Sequence, residues 1–201
     1  MSRQSGEGIV YSRVDVKKWA AEVPDVEAVR PSCCSQCGAP SRPLGRPLIV
    51  VGHGLRTRQV RGPASPGGIP ELRTLRVRRY RCRSCGALTT VLPRGLTARR
   101  HYSASAIGLS LCLFGMHRLS LAETRRRVCT SRIGFELERW TTFSTWLAAI
   151  EQGRLFAQVR ASPVAFSARE RAERAAATLS CLAFTAGTLD EQVFEGAALA
   201  A

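Results

Sequence analysis

Apolar and polar positions along the chain change rhythm twice. Near the start, Val16, Trp19, Ala20 and Val23 recur at helical spacing behind a capping-box pattern begun by Ser12 and Asp15, and Pro24 stops the run. This predicts a short amphipathic helix with Trp19 in a core, and residues 25–31 read as a linker. Between residues 48 and 82 the rhythm shortens. Residues 48–51 and 55–60 read as two strands broken by Gly52-His53-Gly54, and residues 72–82 read as a third. Pro63, Pro66, Gly67, Gly68 and Pro70 fill the loop before that third strand.

Beyond Pro93 and Gly95 the helical period returns. A helix is expected from Ser103 to about residue 117, burying Ile107, Leu111 and Phe114. Ser120 and Glu123 form a capping box that starts a second helix through Cys129, carrying Arg125, Arg126 and Arg127 outwards. A third begins near Thr141, where Phe143, Trp146, Leu147 and Ile150 fall on one face and leave Thr142, Ser144, Thr145 and Ala149 exposed. Ser167 and Glu170 cap a fourth, with Ala172, Ala175, Ala176, Leu179 and Leu182 as its apolar face. The tail from Thr188, with Asp190, Glu191 and Glu195, is expected to fray.

Cysteine spacing adds the first chemistry. Cys34-Ser35-Gln36-Cys37-Gly38 and Cys82-Arg83-Ser84-Cys85-Gly86 are two C-x-x-C-G turns, one at each end of the strand region. Four thiolates are what a closed tetrahedral structural zinc site requires, and each turn lets two sulfurs reach one ion from a single bend. The expected set is Cys34, Cys37, Cys82 and Cys85, holding one structural Zn2+. Cys33 could replace Cys34 as a ligand, although only Cys34 reproduces the two-residue spacing of the second turn. His53 could be a fifth donor, but its flanking glycines favour a turn. Cys112, Cys129 and Cys181 sit in helical pattern as small buried hydrophobes. Three strands between two cysteine turns make a zinc ribbon, and so small a sheet needs metal ligation for much of its folding free energy. The fold class expected is α+β, a small three-stranded zinc ribbon followed by a helical, helix-turn-helix-like domain. Residues 1–31 form the N-terminal helix and linker, 32–95 the ribbon, 96–160 the helical domain, and 161–201 the C-terminal helix and acidic tail.

Charge narrows the partner. The 201 residues carry a formal net charge of +15, and the base is arginine apart from Lys17 and Lys18. Between Arg30 and Arg132 twenty arginines face only Glu71 and Glu123. A GC-rich genome would also raise the arginine count, but this concentration points towards a polyanion. The third strand places Arg76, Arg78 and Arg79 against a nucleic-acid backbone, with Arg56 and Arg58 on the neighbouring strand and Tyr80 either packing or stacking on a base. In the helical part Arg125, Arg126, Arg127 and Arg139, with Thr142, Ser144 and Thr145, would meet duplex DNA if the third helix enters the major groove. The ten residues from Thr130 to Arg139 are long for a helix-turn-helix connection, so the unit is either an expanded variant or a plain three-helix bundle.

The ordered features resemble a known family: C-x-x-C-G, then His53-Gly54-Leu55-Arg56-x-Arg58-x-Val60, then Val77-Arg78-Arg79-Tyr80-Arg81-Cys82-x-x-Cys85-Gly86, then Pro93 and Tyr102-Ser103. They are similar to the zinc-binding, helix-turn-helix front end of bacterial insertion-sequence transposases, and to uncharacterised short proteins built from that front end. The resemblance covers about residues 34–150. It implies that Cys34, Cys37, Cys82 and Cys85 bind metal, and that ribbon and helices bind the terminal DNA of a mobile element in transposition. Cys33 and the loop from Gly62 to Pro70 depart from the pattern.

Catalysis is not expected. Strand transfer on two metal ions needs several carboxylates brought together, and residues 26–189 contain no aspartate. No serine has a G-x-S-x-G elbow. The expectation is a cytoplasmic DNA-binding protein with no membrane partner, which can self-associate through its C-terminal helix. The alternatives are a protein–protein interaction module on a ribbon scaffold and an RNA-binding ribbon.

Overall fold

The computed structural model describes residues 8–130 and 140–201. It is mixed α+β, with four strands and six helices: β1 (Gly8–Asp15), α1 (Val16–Ala21), β2 (Val50–Gly62), β3 (Glu71–Cys82), β4 (Leu88–Arg94), α2 (Ala104–Gly115), α3 (Leu121–Val128), α4 (Thr141–Glu151), α5 (Ala168–Ser180) and α6 (Leu189–Leu199). The chain divides into two compact units, Met1–Gln59 with Thr74–Arg94, and Val60–Arg73 with Gly95–Ala201.

The sheet has four strands, not the three expected, in the order β1-β4-β3-β2. β1 lies in the stretch expected as a polar lead-in and pairs parallel with β4, Gly8 opposite Thr89 through Tyr11 opposite Leu92. The ladder then slips, and the next pair is Asp15 with Arg94. Pro93 lies at the slip, where it has no N–H to contribute. β3 runs antiparallel to β4, from Arg78 opposite Val91 to Arg81 opposite Leu88. β2 is one continuous strand through Gly52-His53-Gly54 rather than two, with Gly54 taking φ +82° at the irregular point.

Pairing and alternation assign the faces. Val10, Val91, Thr89, Arg78 and Tyr80 share one side, and Tyr11, Leu92, Thr90, Arg79 and Arg81 share the other. The first side carries the core of its unit, in which Trp19, Val29, Cys34, Val50, Tyr80, Cys82, Ala87 and Val91 are buried together. Two hydrogen bonds between distant parts of the chain bind the N-terminal segment over β3. Trp19 Nε1 donates to Arg76 O at 2.9 Å, and the Tyr80 hydroxyl donates to Val26 O at 2.7 Å. Arg30 lies 5.6 Å from the Tyr80 ring centre and also bonds Val50 O and Glu27. Asp15 caps α1 by accepting from Lys17 N.

In the second unit α2 is the central element, because all twelve of its residues are buried. Its small residues let other helices approach closely. A Cβ added at Gly108 would lie 2.5 Å from the Ala197 side chain, and one at Gly115 would meet the α5 backbone at Glu173. Ser103, Ser120, Ser167 and Thr188 cap α2, α3, α5 and α6. The core joins Phe114, Trp140, Phe143 and Trp146 in edge and stacked contacts to α2 and α5. Arg169 closes the end of α2: its guanidinium lies 4.2 Å from the Phe114 ring centre and donates to Phe114 O and Leu119 O.

One expectation for the C-terminal region is corrected. The tail does not fray, because Thr188 and Glu191 form a reciprocal capping box and Val193 and Ala197 are fully buried. The apolar face of α5, formed by Ala172, Ala175, Ala176 and Leu179, is buried within the chain. Ala149 is also buried rather than exposed. None of the described helices is long and apolar enough to cross a membrane.

Candidate metal centre and basic face

The two C-x-x-C-G turns fold alike. In each, the glycine N–H returns to the carbonyl of the first cysteine, Gly38 to Cys34 at 3.0 Å and Gly86 to Cys82 at 2.9 Å. In each, the first cysteine's N–H donates to the alanine after the glycine, Cys34 to Ala39 at 2.8 Å and Cys82 to Ala87 at 2.9 Å. Gly38 and Gly86 take φ +71° and +75°, in the left-handed region that favours glycine. The first turn is fastened to the sheet where the Ser35 and Thr89 hydroxyls meet at 3.0 Å.

These turns bring the four predicted sulfurs together. Cys34 Sγ lies 3.7 Å from Cys85 Sγ and Cys37 Sγ 3.8 Å from Cys82 Sγ, and all four lie within 4.8 Å of one another. Four thiolates bound tetrahedrally at about 2.3 Å from one ion are separated by about 3.8 Å, so the cluster has the dimensions of a closed metal site. All eight cysteines are free thiols, and Cys33 is exposed outside the cluster, which leaves Cys34 as the member. His53 is not among the clustered donors.

Electrostatics favour a cation there. Burial pushes the Cys34 thiol up, but the backbone N–H groups of Cys37 and Gln36 and neighbouring sulfurs bring it down to about 7. The Ala87 N–H pulls the Cys85 thiol down, yet burial and the other three sulfurs push it up to about 12. Four sulfurs this close cannot all ionise without a positive ion between them.

The strand arginines divide between the two faces. Arg76 and Arg78 fall on the same side of β3; Arg76 is exposed, with its carbonyl accepting from Trp19. Arg78 is half-buried with Nε donating to Pro24 O at 2.8 Å, so part of its fork is structural. Arg79 lies on the opposite face and is half-buried, beside exposed Arg81. On β2 Arg56 is exposed and Arg58 half-buried; burial lowers the Arg58 pKa, Tyr11 raises it and Arg56 lowers it. Tyr80 packs and does not stack on a base, since its ring is fully buried and its hydroxyl is bonded to Val26.

In the other unit Arg126 and Arg127 are exposed and Arg125 is half-buried; Arg127 pairs with Glu123 at 3.7 Å. On α4 Ser144 and Thr145 are exposed and Thr142 half-buried, with the Thr145 hydroxyl donating to Thr141 O at 2.9 Å. Arg139 lies outside the described residues.

Sequence reasoning missed two features. Tyr11 is 46% exposed and shares a face with Arg79 and Arg81, which only the β1–β4 pairing reveals. Beside the second cysteine turn lies a cavity of about 380 Å³ lined by Val51, His53, Arg81, Cys82, Arg83 and Gly86. Its alternating arginines straddling a cysteine were visible in the sequence, but their convergence with His53 depends on the pairing of β2 with β3. Comparison with protein-family models, curated proteins and solved structures finds no match to this chain.

Proposed function

We propose that the four-cysteine cluster holds one structural zinc ion, and that the sheet it anchors binds nucleic acid, with duplex DNA the preferred form. The observation that carries the reading is the charge of the two strands beside the cluster. β2 and β3 carry Arg56, Arg58, Arg61, Arg73, Arg76, Arg78, Arg79 and Arg81, and their only acidic residue is Glu71 at the start of β3. A surface this basic draws affinity from phosphate neutralisation. Arg81, Arg83 and His53 around the cavity offer convergent donors to a backbone phosphate. An all-thiolate tetrahedral set suits zinc among the common divalent ions.

The exposed part of α4, Ser144 and Thr145, would supply base contacts, and Arg126 on α3 a phosphate contact. Recognition of mobile-element DNA in the manner of a transposase front end, without strand chemistry, is the role that the sequence resemblance suggests. Single-stranded nucleic acid, RNA included, is the second reading, favoured by exposed Tyr11 on the face of Arg79 and Arg81.

The test is to measure bound zinc, then titrate duplex DNA, single-stranded DNA and RNA at two salt concentrations. Zinc that is lost in Cys82→Ser, and duplex affinity that falls steeply with salt, support the reading. A duplex affinity indifferent to salt, or no nucleic-acid affinity in zinc-loaded protein, overturns it.

A further inference from the structure

A second set of metal donors lies in the helical unit. Cys112 is on α2, His117 two residues beyond its last turn, and Asp190 in the first turn of α6, yet their donor atoms all lie within 4.8 Å of one another. Cys112 Sγ donates to Asp190 Oδ1 at 3.3 Å, and His117 Nε2 lies 2.7 Å from the same oxygen.

The backbone holds all three in place. Met116 N and His117 N both donate to Cys112 O, at 2.9 and 3.1 Å, and Leu119 N reaches back to Leu113 O at 3.0 Å. Arg118 completes this reversal with φ +56°, a left-handed conformation that non-glycine residues seldom take. The reversal turns the imidazole back over Cys112. Asp190 is set by the Thr188 capping box and by α6 seated against Gly108.

An ion pair alone would explain His117 and Asp190, because each charge suits the helix end it occupies. It does not explain a buried thiol converging on the same carboxylate oxygen. We infer that Cys112, His117 and Asp190 form a second metal site, for a divalent transition ion of the zinc or cobalt type, with its fourth position open to water.

Mixed sulfur, nitrogen and oxygen donors select such an ion over calcium or magnesium, which take oxygen ligands. Tetrahedral bonds of ordinary length put sulfur and oxygen about 3.5 Å apart and nitrogen and oxygen about 3.3 Å apart. The sulfur is already at 3.3 Å, so the imidazole must retreat by about 0.6 Å from its 2.7 Å contact. Side-chain exposures of 44% for His117 and 30% for Asp190 leave room for that movement and for a water ligand. On binding, the thiol proton and any proton on Nε2 pass to solvent. The ion then clamps the end of α2 to the start of α6.

The probe is Co2+ added to the metal-free full chain, followed by its visible absorption, with metal counted per chain in parallel. Wild type should take up two ions, the second giving the weaker charge-transfer band of a single thiolate. His117→Ala and Asp190→Ala, both at partly exposed side chains, should each reduce the count to one and leave the four-thiolate band intact. Cys82→Ser should do the reverse, removing the four-thiolate band and keeping the weaker one, so failure of the first site is distinguishable from failure of the second. Uptake of only the four-thiolate ion by wild type, or of two ions by both helical variants, overturns the inference.

Discussion

Removing the metal should unfold the cysteine unit and leave the helical unit standing. A structural thiolate-bound zinc contributes about 10–16 kcal/mol. A whole domain is stable by about 5–15 kcal/mol, so the ion's share equals or exceeds everything else the unit has in reserve. Packing leads to the same expectation. Among the described residues, the buried cluster around the cysteines is small, with Cys34 and Cys82 among its members and Trp19 and Tyr80 as its large side chains. Hydrogen exchange read by mass spectrometry is the assay, because both turns have named reporters. With metal bound, the N–H groups of Cys34, Gly38, Cys82 and Gly86 are held in bonds of 2.8 to 3.0 Å and should exchange slowly. After chelation, or in Cys82→Ser, their protection should fall at least a thousandfold, since about 1.4 kcal/mol corresponds to each factor of ten. Amides of α2, such as Ile107 N–H bonded to Ser103 O at 3.1 Å, should keep theirs. A chelated, metal-free chain whose Cys34 and Cys82 amides stay protected would refute the reasoning, because the sheet would then be holding itself.

Four further outcomes are expected. Arg79→Ala with Arg81→Ala should leave zinc content unchanged and reduce the slope of log affinity against log salt by about 1.8, if each arginine neutralises one phosphate of duplex DNA; an unchanged slope in a filter-binding titration would remove both from the interface. Tyr80→Phe should destabilise the cysteine unit by about 1–3 kcal/mol, the cost of leaving Val26 O without its 2.7 Å partner, while nucleic-acid affinity of the folded protein stays as it was. Gly196→Ala places a Cβ 1.8 Å from Leu179 O and should cost at least about 1–3 kcal/mol in thermal unfolding, since the obstacle is backbone that cannot step aside. Thr188→Ala should cost about 1 kcal/mol through loss of the α6 cap, read as a lower melting temperature of the helical unit.

What could be read from the chain beforehand was what its local chemistry encodes. Each C-x-x-C-G turn is specified within a handful of residues, and so are the caps at Ser103, Ser120 and Ser167. Thr188-Leu189-Asp190-Glu191 repeats the logic of Ser167–Glu170, so α6 was legible too, but its acidic composition suggested fraying. Asp190 and Glu191 in a first helical turn instead complement the helix dipole. β1 and β4 were hidden for a different reason. They pair in parallel across about eighty residues with no turn to announce them, and Pro93 looks like a stop when only the strand's own sequence is considered. The cluster of Cys112, His117 and Asp190 likewise has no spacing signature, because two of its members adjoin one helix end and the third arrives from another helix.

Arg169 changes how the abundance of arginine is understood. Together with Arg30, Arg78 and Arg171 it places guanidinium N–H groups on main-chain carbonyls, those of Phe114, Leu119, Val50, Pro24 and Phe166, where its planar fork serves as mortar between segments. A recoded chain with lysine at these four positions would have identical charge and nearly identical attraction to a polyanion. It would nonetheless lose two-pronged and ring-stacked contacts that an ammonium group cannot copy. Arginine enrichment in this protein is therefore partly architectural, and swapping base for base would weaken the scaffold before it weakened the electrostatic field.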